Sequence, residues 1–181
     1  LSKVESRRQV QRNLRKNNNF RTVALIGYTN AGKTLLFNKL TKKKKSSRSR
    51  LFETLDTKIS RVYLGENIYI GLIDTVGFIN NIPTSLIESF KATLEEVNTA
   101  DILLNIVDIN DLNAKQKIRV TKNILKDTGV DKNKISEMIT IFNKIDLKEF
   151  KSSHHYKKNY ISALTGEGVS DLKRTLKNSL I

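Results

Sequence analysis

Eight consecutive residues carry the densest chemical signal in the chain: Gly27-Tyr28-Thr29-Asn30-Ala31-Gly32-Lys33-Thr34. They fit G-x-x-x-x-G-K-[ST], the pattern of a phosphate-binding loop set between a strand and a helix. Glycines let the backbone wrap an anion without side-chain clash. Successive N–H groups and the N-terminus of the following helix then point at phosphate oxygens. Lys33 reaches the β- and γ-phosphates and is the expected catalytic cation, while the Thr34 hydroxyl suits magnesium. Thr29, Asn30, Ala31 and Leu35 complete the expected contacts around Gly27 and Gly32.

Three weaker signals follow in order. Asp74-Thr75-Val76-Gly77 closes an apolar run, Ile68–Ile73. A carboxylate there can hold magnesium, and the Gly77 N–H can sense the γ-phosphate. Asn143-Lys144-Ile145-Asp146 follows the run Met138–Phe142. The Asp146 carboxylate can accept two hydrogen bonds from adjacent N–H donors on one base edge, a pair that guanine offers and adenine does not. The stem of Lys144 can cover the base plane. Ser162-Ala163, with Leu164 behind it, can present a backbone N–H to the guanine carbonyl. Each of these alone reads equally well as a strand-end turn. Their order beside the phosphate loop gives them weight.

The elements that must position these residues are legible as periodic runs. Thr22–Ile26 reads as a buried strand and Lys33–Leu40 as a helix. Lys58–Leu64 and Ile68–Ile73 read as a hairpin joined by Gly65-Glu66-Asn67. Thr84–Asn98 has helical spacing, with Pro83 just before it. Ile102–Val107, Met138–Phe142 and Tyr160–Ser162 read as strands, and Leu112–Lys126 and Val169–Asn178 as helices. Alternating strands and helices predict an α/β fold: a mostly parallel six-stranded sheet with one antiparallel strand and helices on both faces.

Composition excludes several alternatives. The 181 residues suffice for one domain with a real core. Without cysteine there is no disulfide, thiol nucleophile or cysteine-held zinc. No apolar run approaches the roughly 20 residues that span a bilayer, so a cytoplasmic protein with no membrane partner is expected. The net charge is +15, concentrated at one end: residues 1–50 hold 15 Lys and Arg against one acid, Glu5. That field suits a polyanionic partner, with a solvated basic tail as the plain alternative. Residues 3–16 read as a polar basic helix, and Lys42–Arg50 as a mobile basic loop.

The four signals stand in the order and spacing of the P-loop GTPase fold. The chain resembles translation-factor-class GTPases, most closely the HflX family of ribosome-associated GTPases. The stretches that carry the resemblance are Gly27–Thr34 (GYTNAGKT), Leu51–Asp56 (LFETLD), Asp74–Ile79 (DTVGFI) and Pro83–Glu96 (PTSLIESFKATLEE). The resemblance covers about residues 20–181. It implies a GTPase domain over 20–181, preceded at 1–19 by the remnant of a helical linker from an absent N-terminal domain. It implies GTP or GDP as ligand, magnesium on Thr34, Thr54 and Asp74, and hydrolysis of GTP. Thr54 would be the first-switch threonine, closing on magnesium and the γ-phosphate, with Phe52 beside the nucleotide. The implied partners are the large ribosomal subunit and its RNA, and a monomer is expected.

Many GTPases place a glutamine just after D-x-x-G to orient the attacking water; here Phe78 stands there, so slow intrinsic turnover is expected. Arg48 and Arg50 are the only candidate arginine fingers. In related GTPases without the glutamine, an asparagine at the position of Asn30 helps bind potassium, which makes K+ a further candidate cofactor. Three readings stay open at this point: another translation-factor-class GTPase in ribosome assembly or RNA binding, an ATP-dependent P-loop enzyme, and a binding module whose hydrolysis only resets it.

Overall fold

The computed structural model describes residues 21–42, 58–78, 94–147 and 159–180. Thr54, Phe52, Arg48, Arg50, the basic segment 1–20 and most of Pro83–Glu96 lie outside the described residues.

Five strands form one sheet in the order β2-β3-β1-β4-β5. They are β1 (Thr22–Ile26), β2 (Lys58–Gly65), β3 (Ile68–Asp74), β4 (Ile102–Asp108) and β5 (Ile139–Asn143). β1 lies between β3 and β4, parallel to both, and β4 pairs parallel with β5. Among the described strands only β2 runs antiparallel, folded back on β3. The hairpin turns at Glu66 and Asn67, both with positive φ (48° and 60°), which suits the right-handed twist of the flanking strands.

The expected sixth strand at Tyr160–Ser162 is reduced to a single bridge between Tyr160 and Phe142. Two hydrogen bonds of 2.8 Å tie it to β5: Phe142 N–H to Asn159 O, and Ile161 N–H to Phe142 O. The chain cannot continue the ladder because Ser162 turns away, its N–H donating to Glu167 O at 2.9 Å. A turn over the site has replaced a strand in the sheet.

The helices among the described residues are α1 (Lys33–Thr41), α2 (Ala114–Asp127), α3 (Lys132–Ser136) and α4 (Val169–Asn178), and residues 94–99 are helical as well. β1 shows how both faces are covered. Val23 and Leu25 pack with Leu36, Phe37 and Leu40 of α1 and with Leu172 and Leu176 of α4. Ala24 and Ile26 pack with Val97, Leu125 and Val130 on the other face. Every residue of β1 is buried, so the strand that feeds the phosphate loop is the central plank of the sheet.

α2 starts two residues later than its apolar spacing suggests. Asp111 folds the entry: its carboxylate accepts from Asn113 N–H at 2.8 Å, and its carbonyl from Ala114 N–H at 2.9 Å. Leu112 is thereby left fully exposed in the turn. α3 was not legible from periodicity. Its signal is the cap Asp131, whose carboxylate accepts from Asn133 and Lys134 N–H.

Asp101 clamps the starts of β1 and β4 together. It accepts from the Thr22 N–H at 2.7 Å and hydroxyl at 2.9 Å, and pairs with Arg21 at 3.1 Å. Burial pushes its pKa up, but these hydrogen bonds outweigh burial and hold it below the usual carboxylate value.

Candidate nucleotide site

The phosphate loop runs from the end of β1 into α1. Gly32 stands at the helix start with φ 94°, so the first turn of α1 has no capping side chain over its N–H groups. A Cβ on Gly32 would lie 2.2 Å from Asn143 Nδ2, so only glycine fits between the loop and that carboxamide. Asn30, at the tip, is exposed and has φ 61°.

Lys33 lies under the loop with 6% of its surface exposed. Its ammonium donates to Gly27 O at 3.0 Å and Tyr28 O at 2.8 Å. Burial lowers its pKa to about 8, against a smaller opposing pull from the Asp74 carboxylate. Asp74, at the end of β3, is itself buried. One carboxylate with the Thr34 hydroxyl is an all-oxygen donor set. It suits magnesium, which is held by one or two carboxylates together with substrate phosphates rather than by a protein cage. The described residues accordingly contain no cluster of three metal-ligating acids, histidines or cysteines.

Gly77 comes close to the same lysine: a Cβ there would lie 2.9 Å from Lys33 Nζ and 2.8 Å from Thr29 Cγ2. Two backbone hydrogen bonds of 3.0 Å fix this approach, Thr29 N–H to Phe78 O and Phe78 N–H to Gly27 O. The Phe78 ring is fully buried in the core on the α2 side of the sheet. The position after Gly77 therefore serves packing, and no hydrogen-bonding group is offered there to water.

Across from the Lys33 pocket, Asn143 ends β5 and braces two loops. Its Nδ2 donates to Ala31 O at 2.8 Å, and its Oδ1 accepts from Ala163 N–H at 2.9 Å. The Ser162 hydroxyl donates to Asp146 Oδ1 at 2.5 Å and accepts from Thr165 N–H at 3.1 Å. Lys144 Nζ lies 2.7 Å from Asp108 Oδ2. Leu35 packs against the core on the α1 side, and Leu164 is exposed beside the Ser162 turn. Thus the structure brings the phosphate loop, Asp74–Gly77, Asn143–Asp146 and Ser162–Leu164 to one edge of the sheet, the ends of the parallel strands where open α/β sheets take ligands.

Sequence reading missed three residues at this edge, all on or just after β4. Asp108 and Asn110 hold the Asn143–Asp146 loop. Asn105 is buried, and neither atom of its carboxamide has a hydrogen-bond partner among the described residues. It borders a cavity of about 130 Å³ that also touches Tyr28, Asn30, Lys117 and Thr121. A polar residue inside the apolar run Ile102–Val107 was the available signal.

Fold and site together define a P-loop GTPase, and residues 22–144 match the family described as 50S ribosome-binding GTPase. The chain belongs to that family, within it to the HflX GTPases. It is 39% identical over 180 residues to the GTPase HflX of Caldanaerobacter subterraneus, covering 99% of this chain and 41% of that protein. To the GTPase HflX of Escherichia coli it is 35% identical over 187 residues, covering 99% and 43%. Among solved structures, it is similar to a GTP-binding protein from Sulfolobus solfataricus in complex with GDP. The TM-score is 0.65 and the identity 26%, over 97% of this chain and 58% of that one. The chain spans less than half the length of these curated relatives. Among the described residues, no helix is long and apolar enough to cross a membrane.

Proposed function

We propose that this chain binds GTP and GDP, hydrolyses GTP slowly on its own, and uses the bound nucleotide as a switch for contact with the large ribosomal subunit. The observation that carries the reading is the Asn143 brace, which joins the phosphate loop at Ala31 to the guanine-reading turn at Ala163. The two ends of one nucleotide are thereby fixed relative to each other.

In this reading Lys33 and the loop amides bind the β- and γ-phosphates, and the Gly77 N–H meets the γ-phosphate. Asp146 takes the guanine ring N–H and amine, Lys144 covers the base, and Ala163 N–H meets the guanine carbonyl. Thr34 and Asp74 hold magnesium, with Thr54 joining in the GTP state. Magnesium, when bound, supplies charge neutralisation between the β- and γ-phosphates. The buried Phe78 cannot orient water, so rapid turnover needs a group from elsewhere. Asn30 suits a potassium ion beside the phosphates, whose charge would offset that developing on the bridging oxygen as an arginine finger does. The basic residues Lys42–Lys45, Arg48 and Arg50, with the segment before residue 20, are proposed to contact ribosomal RNA, and such contacts weaken steeply with salt.

The test is GTP turnover with and without large ribosomal subunits, in matched potassium and sodium chloride. The reading expects slow turnover alone, acceleration by subunits, and a loss of subunit binding between low and moderate salt. Equal turnover with and without subunits would refute the switch. Equal rates in the two salts would remove potassium from the account.

A further inference from the structure

We propose that Asp108 and Asn110 are positioning residues for the nucleotide base, acting through Lys144. The proposal rests on the guanine-nucleotide reading above and assigns a role to residues outside all four motifs.

Lys144 is a non-glycine residue held in the left-handed region, with φ 70°. Such a backbone persists only where its surroundings hold it. Both ends of the residue are held by the loop after β4. At the side-chain end, the ammonium sits 2.7 Å from Asp108 Oδ2. At the backbone end, the Lys144 carbonyl accepts from Asn110 Nδ2 at 3.0 Å. The two partners are locked to each other as well, because Asp108 Oδ1 accepts from Asn110 N–H at 3.0 Å. The residue between them, Ile109, donates its N–H to Asn143 O at 3.0 Å. The result is a closed ring of contacts joining two loops, with Lys144 stretched across it.

The consequence for binding is physical. A lysine side chain that must settle on a base loses rotamer freedom when it does so. Pinned at both ends before the ligand arrives, the four-carbon stem has already lost it, and the ligand meets a fixed apolar rod. A rod beneath a flat ring is indifferent to the atoms on the ring's edge. Asp108 therefore supports affinity for any purine that enters, whereas Asp146 reads the guanine edge. The Asp108 and Lys144 side chains are only 23% and 25% exposed, so the pair is partly sheltered from screening.

The experiment is a double-mutant cycle on the 181-residue chain, with GDP and inosine diphosphate affinities measured by calorimetry. Asp108→Asn keeps an oxygen for the Asn110 N–H and removes the charge that holds the ammonium. GDP affinity is expected to fall about tenfold, and inosine diphosphate affinity by the same factor, since coupled neighbours interact on this scale. In a Lys144→Ala background the same substitution is expected to change affinity by less than about twofold. Unchanged GDP affinity in Asp108→Asn would overturn the proposal while leaving the guanine reading intact. So would an undiminished loss in the Lys144→Ala background, which would place the effect in the fold. A wild-type chain that binds no GDP would refute the guanine reading, and this proposal with it.

Discussion

The two ends of the site are built on opposite principles. At the base end, each polar group named already has a protein partner: Asp146 with Ser162, Lys144 with Asp108, Asn143 with Ala31 and Ala163. At the phosphate end, a nearly inaccessible lysine donates to two backbone carbonyls, and burial lowers its pKa to about 8. Carbonyls satisfy its donors but carry no formal negative charge. The base end is assembled in advance, whereas the phosphate end holds a buried cation whose burial the Asp74 carboxylate offsets only in part. On the proposed reading, selectivity belongs to geometry at one end, and binding strength to charge at the other.

The largest expected effect breaks the base end. GDP should bind on the order of 10³-fold more tightly than ADP, because adenine offers the Asp146 carboxylate no adjacent pair of N–H donors. Asp146→Asn offers one donor and one acceptor instead, and should shift preference toward xanthosine diphosphate. Competition against a fluorescent GDP analogue measures both, and equal competition by ADP would refute the assignment of Asp146.

The phosphate end comes next. Lys33→Met should lower GDP affinity by about 10²-fold or more, through loss of charge-assisted hydrogen bonds to phosphate. It should change the stability of the nucleotide-free protein little, because removing a desolvated charge is set against the lost hydrogen bonds to Gly27 O and Tyr28 O and the lost pull on Asp74. Thermal unfolding checks this, and a clear fall in melting temperature would show that Lys33 supports the fold.

The brace between the ends is tested through stability. Asn143→Ala should cost about 2–4 kcal/mol of stability, since it leaves the buried Ala31 carbonyl and Ala163 N–H without their partner. Urea unfolding measures it, and a loss below about 1 kcal/mol would mean that the two loops hold their places independently.

The pH dependence of stability follows from the same lysine. Lys33 is pushed from an ordinary value of 10.5 to about 8 in the fold. Below pH 8 both folded and unfolded chains carry the proton, and the burial penalty is fully present. Between about 8 and 10.5 the unfolded chain binds more protons, so the stability of the nucleotide-free protein should rise with pH across that window. The rise should be absent from the difference curve's Lys33→Met arm, where nothing titrates at this position.

How far these contrasts were legible in the sequence follows the same division. The phosphate loop is a contiguous motif bounded by an all-buried strand, and Thr22–Ile26 was readable to the residue because apolar runs mark a central parallel strand. The base end is assembled from loops distant in sequence. Asn143, Asp146 and Ser162 were legible by order, but Asp108 and Asn110 carry no local pattern, and only the fold brings them to Lys144. The expected sixth strand is absent from the sheet for a related reason. Tyr160–Ser162 has strand-like composition, yet the Ser162 turn to Glu167 takes its backbone away from the ladder. The short α3 was missed because its stability lies in the Asp131 cap rather than in an apolar stripe. Phe78 was read as an absence of glutamine, and the structure adds where the ring goes: into the core.

The most direct test of the contrast between the two ends is calorimetric titration of the chain with GDP at pH 8, repeated in buffers of different ionisation enthalpy. Burial lowers the Lys33 pKa to about 8, so part of the side chains are uncharged at that pH before binding, and phosphate should restore the proton. Net proton uptake on binding GDP is expected, seen as a binding enthalpy that varies linearly with the buffer's ionisation enthalpy. An enthalpy independent of the buffer, with GDP tightly bound, would contradict it: Lys33 would then be fully charged without ligand, and the phosphate end as ready as the base end.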